Sequence, residues 1–463
     1  MFPTTPTHQP RLARELKTTV RLALPLVFGQ LSAIGMTVVD TLLAGHLDAQ
    51  TLGAVAVGSS VWTLAIVAAI GLMMALPPSV AQLNGAGRRG EIARLFEQAM
   101  WLAIFLGLGL LLAVFFMGPL LIGLVGVAPG LVPNVRRFLH AIAFGAPALA
   151  MFFALRGLSE GLGLTRPTLY FSLLGLILLG PLGYVLMYGR LGVPRLGALG
   201  SGMATACVLW IQTAAFAIYL GCRHHYRDLG LRAHPGRPDR RIIGELLRVG
   251  LPMGVSVFME ASLFIAVALA ISRLGADIIA SHQIAINVAS VAFMVPLGLA
   301  MATTVRVGYA VGRGDASGVR YAGFGGMLLT LATQCISAGL MLALPGRIAA
   351  LYTRDPAVAG LAAQLLVLAA MFQFSDGIQV AANGALRGLK DTRVPMLITT
   401  FAYWGVGMTV GWWLAFNRHL GARGMWMGLV AGLSAAAILL LVRFWRLTRY
   451  RFTHVGAAST WGP

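Results

Sequence analysis

The sequence predicts an all-α polytopic membrane protein of about 12 transmembrane helices, arranged in two six-helix lobes related by a parallel repeat. Three observations support this fold class. The 463 residues are 58% hydrophobic and only 11% charged, with a mean hydropathy of +0.81, whereas a soluble domain carries about 25% charged residues. Apolar runs recur about twelve times, each near the roughly 20 residues that cross a bilayer. The two halves also share short motifs.

The apolar runs define the expected membrane spans. In chain order these are 22–45, 51–77, 95–118, 138–158, 167–188, 197–221, 244–272, 277–304, 320–344, 358–386, 394–416 and 422–445. The expected domains are an N-terminal tail (1–21), an N-lobe (22–222), a basic linker (223–243), a C-lobe (244–446) and a C-terminal tail (447–463).

The internal repeat fixes the relation between the lobes. Leu24-Pro25 matches Leu251-Pro252 at an offset of 227 residues, and Ala-Leu-Arg-Gly-Leu at 154–158 recurs at 385–389, an offset of 231. Thr165-Arg166 then matches Thr392-Arg393, again at 227. Because each half has six spans, both halves start on the same side and the repeat is parallel. Two such bundles can enclose a central cavity and rock around it.

The basic residues predict the orientation. The net charge of +20 could suggest a nucleic-acid partner, but the Lys and Arg residues lie in short loops between apolar runs. Of the 35, 26 fall on the side of the N-terminal tail and 9 on the other side. Positive charge favours the cytoplasmic side. We therefore expect both termini and the linker in the cytoplasm, and no nucleic-acid partner.

Three acids lie inside expected spans: Asp40, Glu260 and Asp376. An acid at the bilayer centre costs about 2.5–3.5 kcal/mol on insertion scales and usually faces the protein interior or a water-filled cavity. No basic residue is expected at comparable depth. These acids should therefore take up protons or bind a mobile cation. For Glu260, a purely structural hydrogen bond to a neighbouring helix is the alternative.

Polar side chains accompany these acids. Gln373, Gln379 and Asn383 share a helix face with Asp376, and another face carries Gln283, Asn287 and Ser290. Their oxygens suit a hard cation, so Na⁺ is a candidate ligand of Glu260 and Asp376. The alternative is hydrogen bonding between polar helix faces, which is common in membrane bundles.

Other function classes find little support. The Gly-x-Gly-x-x-Gly pattern at 85–90 joins two spans without a preceding strand, and no phosphate-binding Gly-Lys-Ser/Thr loop occurs, so we expect neither a nucleotide partner nor a cofactor. An intramembrane enzyme would need a His, Ser–Lys or metal-ligand set at depth, and the sequence shows no such set there. A channel would more naturally be a symmetric oligomer around filter loops.

Several motifs resemble the MATE multidrug and toxin extrusion family, in its NorM-like branch. They are VDTLLAG at 39–45, YGRLGVPRLGALGSGMAT at 188–205, RVG at 306–308, QFSD at 373–376 and LRGLKDT at 386–392. The resemblance covers nearly the whole chain.

The resemblance implies a secondary transporter that exports organic cations and amphipathic drugs in exchange for Na⁺ or H⁺. It implies no enzyme activity. We expect a monomer in the bacterial inner membrane, with the lipid bilayer and cationic drugs as its partners. A lipid-linked oligosaccharide flippase of the same superfamily is the alternative, although it would need a strongly cationic cavity.

The resemblance also suggests residue roles. Glu260 and Asp376 match the cation-site carboxylates of the C-lobe, and Asp40 matches the acid of the N-lobe. Drug contacts in the cavity are expected at Asp40, Ser60, Gln283 and Asp355. Relatives often have asparagines where this chain has Gly180 and Gly183, so ion coupling is expected mainly in the C-lobe.

Overall fold

The computed structural model describes residues 11–125, 128–192, 194–230 and 236–450. Parts of both expected tails (1–10 and 451–463) and part of the expected linker (231–235) lie outside these ranges. Within them the chain forms helices and no strands.

The described part of the first half contains ten α-helices: α1 (Arg11–Leu47), α2 (Ala49–Met73), α3 (Leu76–Gly85), α4 (Arg89–Leu112), α5 (Gly118–Val125), α6 (Val132–Ala143), α7 (Ala146–Gly161), α8 (Arg166–Tyr188), α9 (Ala198–Cys222) and α10 (His224–Arg227).

The second half adds α11 (Arg240–Ser272), α12 (Ala276–Gly312), α13 (Ala316–Ala343), α14 (Pro345–Tyr352), α15 (Pro356–Gly388), α16 (Arg393–Thr400), α17 (Thr409–Trp412) and α18 (Gly421–Tyr450). Three stretches are π-helical: Ala113–Met117, Phe401–Met408 and Trp413–Asn417.

The predicted fold class is confirmed. Eleven helical segments in the described ranges are long and apolar enough to cross a membrane, and α6 with α7, bent by 44° at their junction, makes a twelfth. The helices extend beyond the expected spans: α1 begins at Arg11, so residues 11–21 of the expected tail are helical.

Short polar side chains begin several helices. Asp48, Asp315 and Asp355 accept hydrogen bonds from backbone N–H groups in the first turns of α2, α13 and α15, which satisfies donors that have no partner within the helix. At the other end of a helix, Gly189 ends α8 with a φ of 73°, a conformation that glycine adopts without the steric cost of a Cβ atom.

The described chain divides into two compact units. The N-unit is Phe28–Phe258, and the C-unit combines residues 11–27 with 259–450. The division therefore falls inside α1 and inside α11. The lobe boundaries expected from the sequence remain a prediction.

The core of the N-unit is centred on α7, which packs against α3, α4 and α9, while α9 also packs against α6 and α8. Its side chains are mostly aliphatic and aromatic, including Phe171, which stacks on Phe216 with ring centroids 4.5 Å apart.

The core of the C-unit is centred on α15, which packs against α12, α13, α14 and α18. Trp426 of α18 is fully buried there, and its indole Nε1 donates to Nδ1 of His282 at 3.2 Å. Because α15 is surrounded by other helices, polar side chains near its middle are held away from lipid.

Candidate functional site

Four polar residues of α15 lie in the interior of the C-unit. Asp376 is 3% exposed, and Gln373, Gln379 and Asn383 are also buried. Their spacing along one helix face brings them to the side of α15 that its neighbours cover. The face that the sequence singled out is therefore a buried polar strip.

Glu260 of α11 lies close enough to this strip to interact electrostatically with Asp376. Glu260 itself is partly buried. The structure thus brings together the two C-lobe acids that the sequence selected.

One basic residue does interact with these acids, contrary to the expectation that none would neutralise them. Arg387, in the last turn of α15, is 7% exposed and interacts electrostatically with Glu260. The Cα of Arg387 is near the helix end, but an Arg side chain is long enough to carry its charge well away from its own Cα. The site therefore contains a cation as well as two acids.

Tyr403 completes the cluster. It belongs to the π-helical stretch Phe401–Met408, is 1% exposed and interacts electrostatically with Glu260, Asp376 and Arg387. We name Glu260, Asp376, Arg387 and Tyr403 the acid cluster.

Three buried oxygens at this site lack a hydrogen-bond partner among the described residues: Asp376 Oδ1, Gln379 Oε1 and the Tyr403 hydroxyl oxygen. A buried polar atom without a partner is costly and calls for an explanation such as an ion or water. All three are oxygens, the ligand type that hard cations prefer. The residues present therefore fit a transported Na⁺ or proton.

Within the described ranges, no group of three His, Cys, Asp or Glu side chains could hold a metal ion. The candidate Na⁺ position at Glu260 and Asp376 thus offers two carboxylates and needs neutral oxygens besides. Gln379 and Tyr403 supply the unpartnered neutral oxygens at this site.

Gln373 is engaged in structural hydrogen bonds instead. Its Nε2 donates to the carbonyl of Ala289 at 3.2 Å, and its Oε1 accepts from Gln334 Nε2 at 3.0 Å. This bonding joins α12, α13 and α15 behind the acid cluster. The Gln373 amide therefore makes interhelical hydrogen bonds, as in the alternative of hydrogen bonding between polar helix faces.

Unlike the polar residues of α15, several other polar residues that the sequence selected have exposed side chains. Gln283 and Asn287 of α12 are both exposed, and Asn287 Oδ1 accepts from the Tyr352 hydroxyl at 3.0 Å. Asp355 is exposed and caps α15 through a 2.8 Å bond from the Ala357 N–H. In the N-unit, Ser60 is exposed and its hydroxyl donates to Ala56 O of its own helix at 3.0 Å.

Asp40 belongs to the N-unit and is separate from the acid cluster. Its Oδ1 accepts a hydrogen bond from the Ser201 hydroxyl of α9 at 2.6 Å. Gly180 and Gly183 of α8 face the same part of α1, because a Cβ at either position would meet Val39 or Leu43. The side chains of α1 that these two glycines approach, Val39 and Leu43, are apolar.

Sequence reasoning missed Arg387, Tyr403 and Ser201 as site residues. The repeat could have indicated Arg387, since it recurs at the position of Arg156, which is also buried. No pattern distinguishes Tyr403 from the other aromatic residues of its span.

Comparison with known proteins gives a consistent result. The MatE family model matches residues 25–185 and 252–413. The chain is 50% identical over 454 residues to a probable multidrug resistance protein NorM of Xanthomonas campestris, with 98% of each chain covered. It is 42% identical to the multidrug resistance protein PmpM of Pseudomonas aeruginosa, covering 95% of this chain and 93% of that one.

Solved structures share the fold. A crystal structure of MATE in the bent conformation superposes with a TM-score of 0.88 at 20% identity, covering 97% of this chain and 100% of that one. An outward-facing multidrug resistance MATE family transporter gives a TM-score of 0.87, also at 20% identity, covering 98% and 100%. The fold and the site together define a polytopic helical membrane protein with a buried acid cluster. The chain belongs to the MATE family.

Proposed function

We propose that this protein is a secondary active antiporter that exports cationic, amphipathic drugs in exchange for Na⁺ or H⁺. The observation that carries the proposal is Asp376, a carboxylate buried in the C-unit with one oxygen unpartnered and a second acid, Glu260, nearby. The names of the relatives, multidrug resistance proteins, support drugs as the cargo.

Coupling follows from charge. When a proton or Na⁺ is bound, the charge of the acid cluster is reduced and a cationic drug gains little by entering. When the ion has left, the acids in a poorly solvated site attract a cation. An ion and a drug that each favour a different charge state of the protein exclude one another, which is the requirement for exchange.

The proposal includes the cellular setting. The protein is a monomer in the bacterial inner membrane. The 26 to 9 distribution of basic residues supports an orientation with both termini and the 223–243 linker in the cytoplasm. Two lobes rock around a central cavity during the cycle. Ion gradients supply the energy, with no nucleotide and no cofactor.

Dye efflux tests this function. Purified protein in liposomes should export ethidium when a Na⁺ gradient or a pH gradient is imposed, each applied separately. Glu260→Gln and Asp376→Asn should lose ion-driven efflux while remaining folded. Glu91→Gln, which removes an exposed acid of α4, is the matched control and should behave as wild type.

Wild-type protein that exports no cationic dye under either gradient would refute the antiporter proposal. Normal efflux by Glu260→Gln and Asp376→Asn would instead move the coupling site away from the C-lobe.

A further inference from the structure

The internal repeat buries an arginine in each half. Arg156 of α7 and Arg387 of α15 occupy the same position of the Ala-Leu-Arg-Gly-Leu motif. They are 8% and 7% exposed. A buried guanidinium needs an acid or strong acceptors, so the acid that compensates each arginine can be compared directly.

In the N-unit the acid lies on the same helix. Arg156 Nε donates to Glu160 Oε1 at 2.5 Å, one turn further along α7. Thr168 also donates to Glu160 Oε1, and Arg156 Nη2 donates to Gln30 Oε1. The charge of Arg156 is thus compensated locally.

In the C-unit the equivalent acid is elsewhere. The residue four positions after Arg387, as Glu160 is after Arg156, is Asp391. Asp391 accepts from Arg443 Nε at 2.9 Å. Arg387 therefore loses the partner that its counterpart has.

The cause is a difference of one helical turn. The repeat offset falls from 231 before this point to 227 after it, so the first half carries four additional residues here. They extend α7 through Glu160 to Gly161, whereas α15 ends at Gly388. Lys390 then adopts a φ of 57°, so the chain leaves the helix before Asp391 and cannot place that acid below Arg387.

Glu260 fills this role. Among the described residues no acid forms a direct ion pair with Arg387, and Glu260 is the acid with which it interacts electrostatically. We propose that Arg387 is the fixed countercharge of Glu260, so that the ionised acid cluster carries one net negative charge, on Asp376, and exchanges one monovalent cation per transport cycle. This inference rests on the proposed antiport function and specifies its stoichiometry.

The proposal changes the interpretation of Glu260. Loss of the Glu260 carboxylate would free the Arg387 guanidinium to neutralise Asp376. Ion binding would then fail, because the guanidinium would take the place of the transported ion. Under the simpler view, Glu260 is itself an essential ion ligand. The two views differ for the double variant Glu260→Gln/Arg387→Gln, which keeps Asp376 as a single uncompensated acid.

The first experiment measures ethidium efflux from proteoliposomes driven by the ion gradient that drives the wild type. Glu260→Gln should be inactive, and the double variant should regain ion-driven efflux. Glu260→Gln/Arg88→Gln is the control, because it removes an arginine whose ion pair with Glu91 is exposed, and it should stay inactive. A folded double variant that remains inactive would overturn the inference.

The second experiment measures charge movement and does not depend on the double variant. Exchange of one cation for monovalent ethidium is electroneutral, so an imposed membrane potential should not shift the wild-type ethidium gradient. Arg387→Gln leaves two uncompensated acids, and exchange of two cations should shift the equilibrium gradient by about 50-fold per 100 mV. Arg387→Lys, which keeps the charge, should behave as wild type.

A potential-sensitive wild type, or Arg387→Gln and Arg387→Lys behaving alike, would contradict the inference. Failure of the wild type to export ethidium under any ion gradient would instead refute the antiport function itself. The two failures are therefore distinguishable.

Discussion

The Ser201 hydroxyl donates a 2.6 Å hydrogen bond to Oδ1 of Asp40, joining α9 to α1 within the N-unit. In the described part of the chain this is the one side-chain hydrogen bond that Asp40 makes. Asp40 is thus positioned by a single donor, whereas the acid cluster combines two acids, a cation and several buried oxygens. The two intramembrane acid sites therefore have different chemical surroundings.

We expect Asp40→Asn to weaken drug transport but to keep more ion coupling than Asp376→Asn. On the proposed function the N-unit acid is expected to attract a cationic drug, so its loss should reduce apparent ethidium affinity by about tenfold, equivalent to roughly 1.4 kcal/mol. Concentration-dependent efflux from liposomes measures this. Ser201→Ala should show part of the effect, and Ser201→Thr, which keeps the hydroxyl, little of it. An inactive Asp40→Asn beside normal Glu260→Gln and Asp376→Asn would place coupling in the N-lobe.

The contact between Gly71 of α2 and Gly254 of α11 predicts an asymmetric response to alanine. A Cβ added at Gly71 would overlap the Cα of Gly254, whereas a Cβ added at Gly254 would lie 3.6 Å from the Cα of Gly71, an ordinary contact. Overpacking typically costs about 1–3 kcal/mol. Gly71→Ala should therefore lower the melting temperature of the purified protein while Gly254→Ala leaves it nearly unchanged. Equal losses for both would show that helix propensity or some other effect, not this contact, is responsible.

The buried ion pair of Arg156 and Glu160 predicts a large loss of stability when the acid is neutralised. Their side chains are 10% and 3% exposed, and removing one member of a buried pair costs about 3–5 kcal/mol because the other charge stays buried. Glu160→Gln should markedly lower the melting temperature in detergent. Glu91→Gln breaks a pair that is 61% and 52% exposed, and exposed pairs contribute about 0–1 kcal/mol. Similar effects of both variants would contradict this assignment.

Asp48 predicts a specific acid sensitivity. The Thr51 N–H donates to its Oδ1 at 2.6 Å and Arg195 pairs with its Oδ2 at 2.8 Å, and these contacts, the backbone bond first, lower the pKa of Asp48 despite some desolvation. A lowered pKa in the folded state contributes stability above the unfolded pKa of about 4, and that stability is lost as the pH falls further.

Melting temperature measured between about pH 3 and pH 6 tests this, since the window begins at the ordinary Asp pKa of about 4. Asp48→Asn keeps the helix cap but has no proton to gain, so its melting temperature should fall less steeply below about pH 4 than that of the wild type. Asp48→Ala should also lose about 1 kcal/mol at neutral pH, because it removes the cap. Parallel pH profiles for wild type and Asp48→Asn would contradict the role of this carboxylate.

The sequence predicted the fold class and located Glu260 and Asp376, because an acid within an apolar run is visible from composition alone. It did not locate Arg387 in the site. The sequence places the Cα of Arg387 at the end of a span, but the position of its guanidinium depends on side-chain packing. Because the distribution of basic residues follows their Cα positions, it predicted the charge of Arg387 on the aqueous side.

Tyr403 and Ser201 escaped prediction for different reasons. The face on which Tyr403 lies depends on the π-helical stretch Phe401–Met408, whose wider turn changes the register that a 3.6-residue period assumes. Ser201 was visible only as part of a family motif, and its role depends on the packing of α9 against α1. The lobe boundaries and the roles of the site residues remain predictions.

The ion pairs of α1 have a consequence for biosynthesis. Glu15 pairs with Arg306, 291 residues further along the chain, and Arg11 pairs with Asp315. At about 5–20 residues per second of translation, α1 is synthesised roughly 15–60 s before these partners. A nascent chain that stops at the central linker therefore carries Arg11 and Glu15 without those partners, and α1 cannot form these ion pairs until α12 and Asp315 have been synthesised.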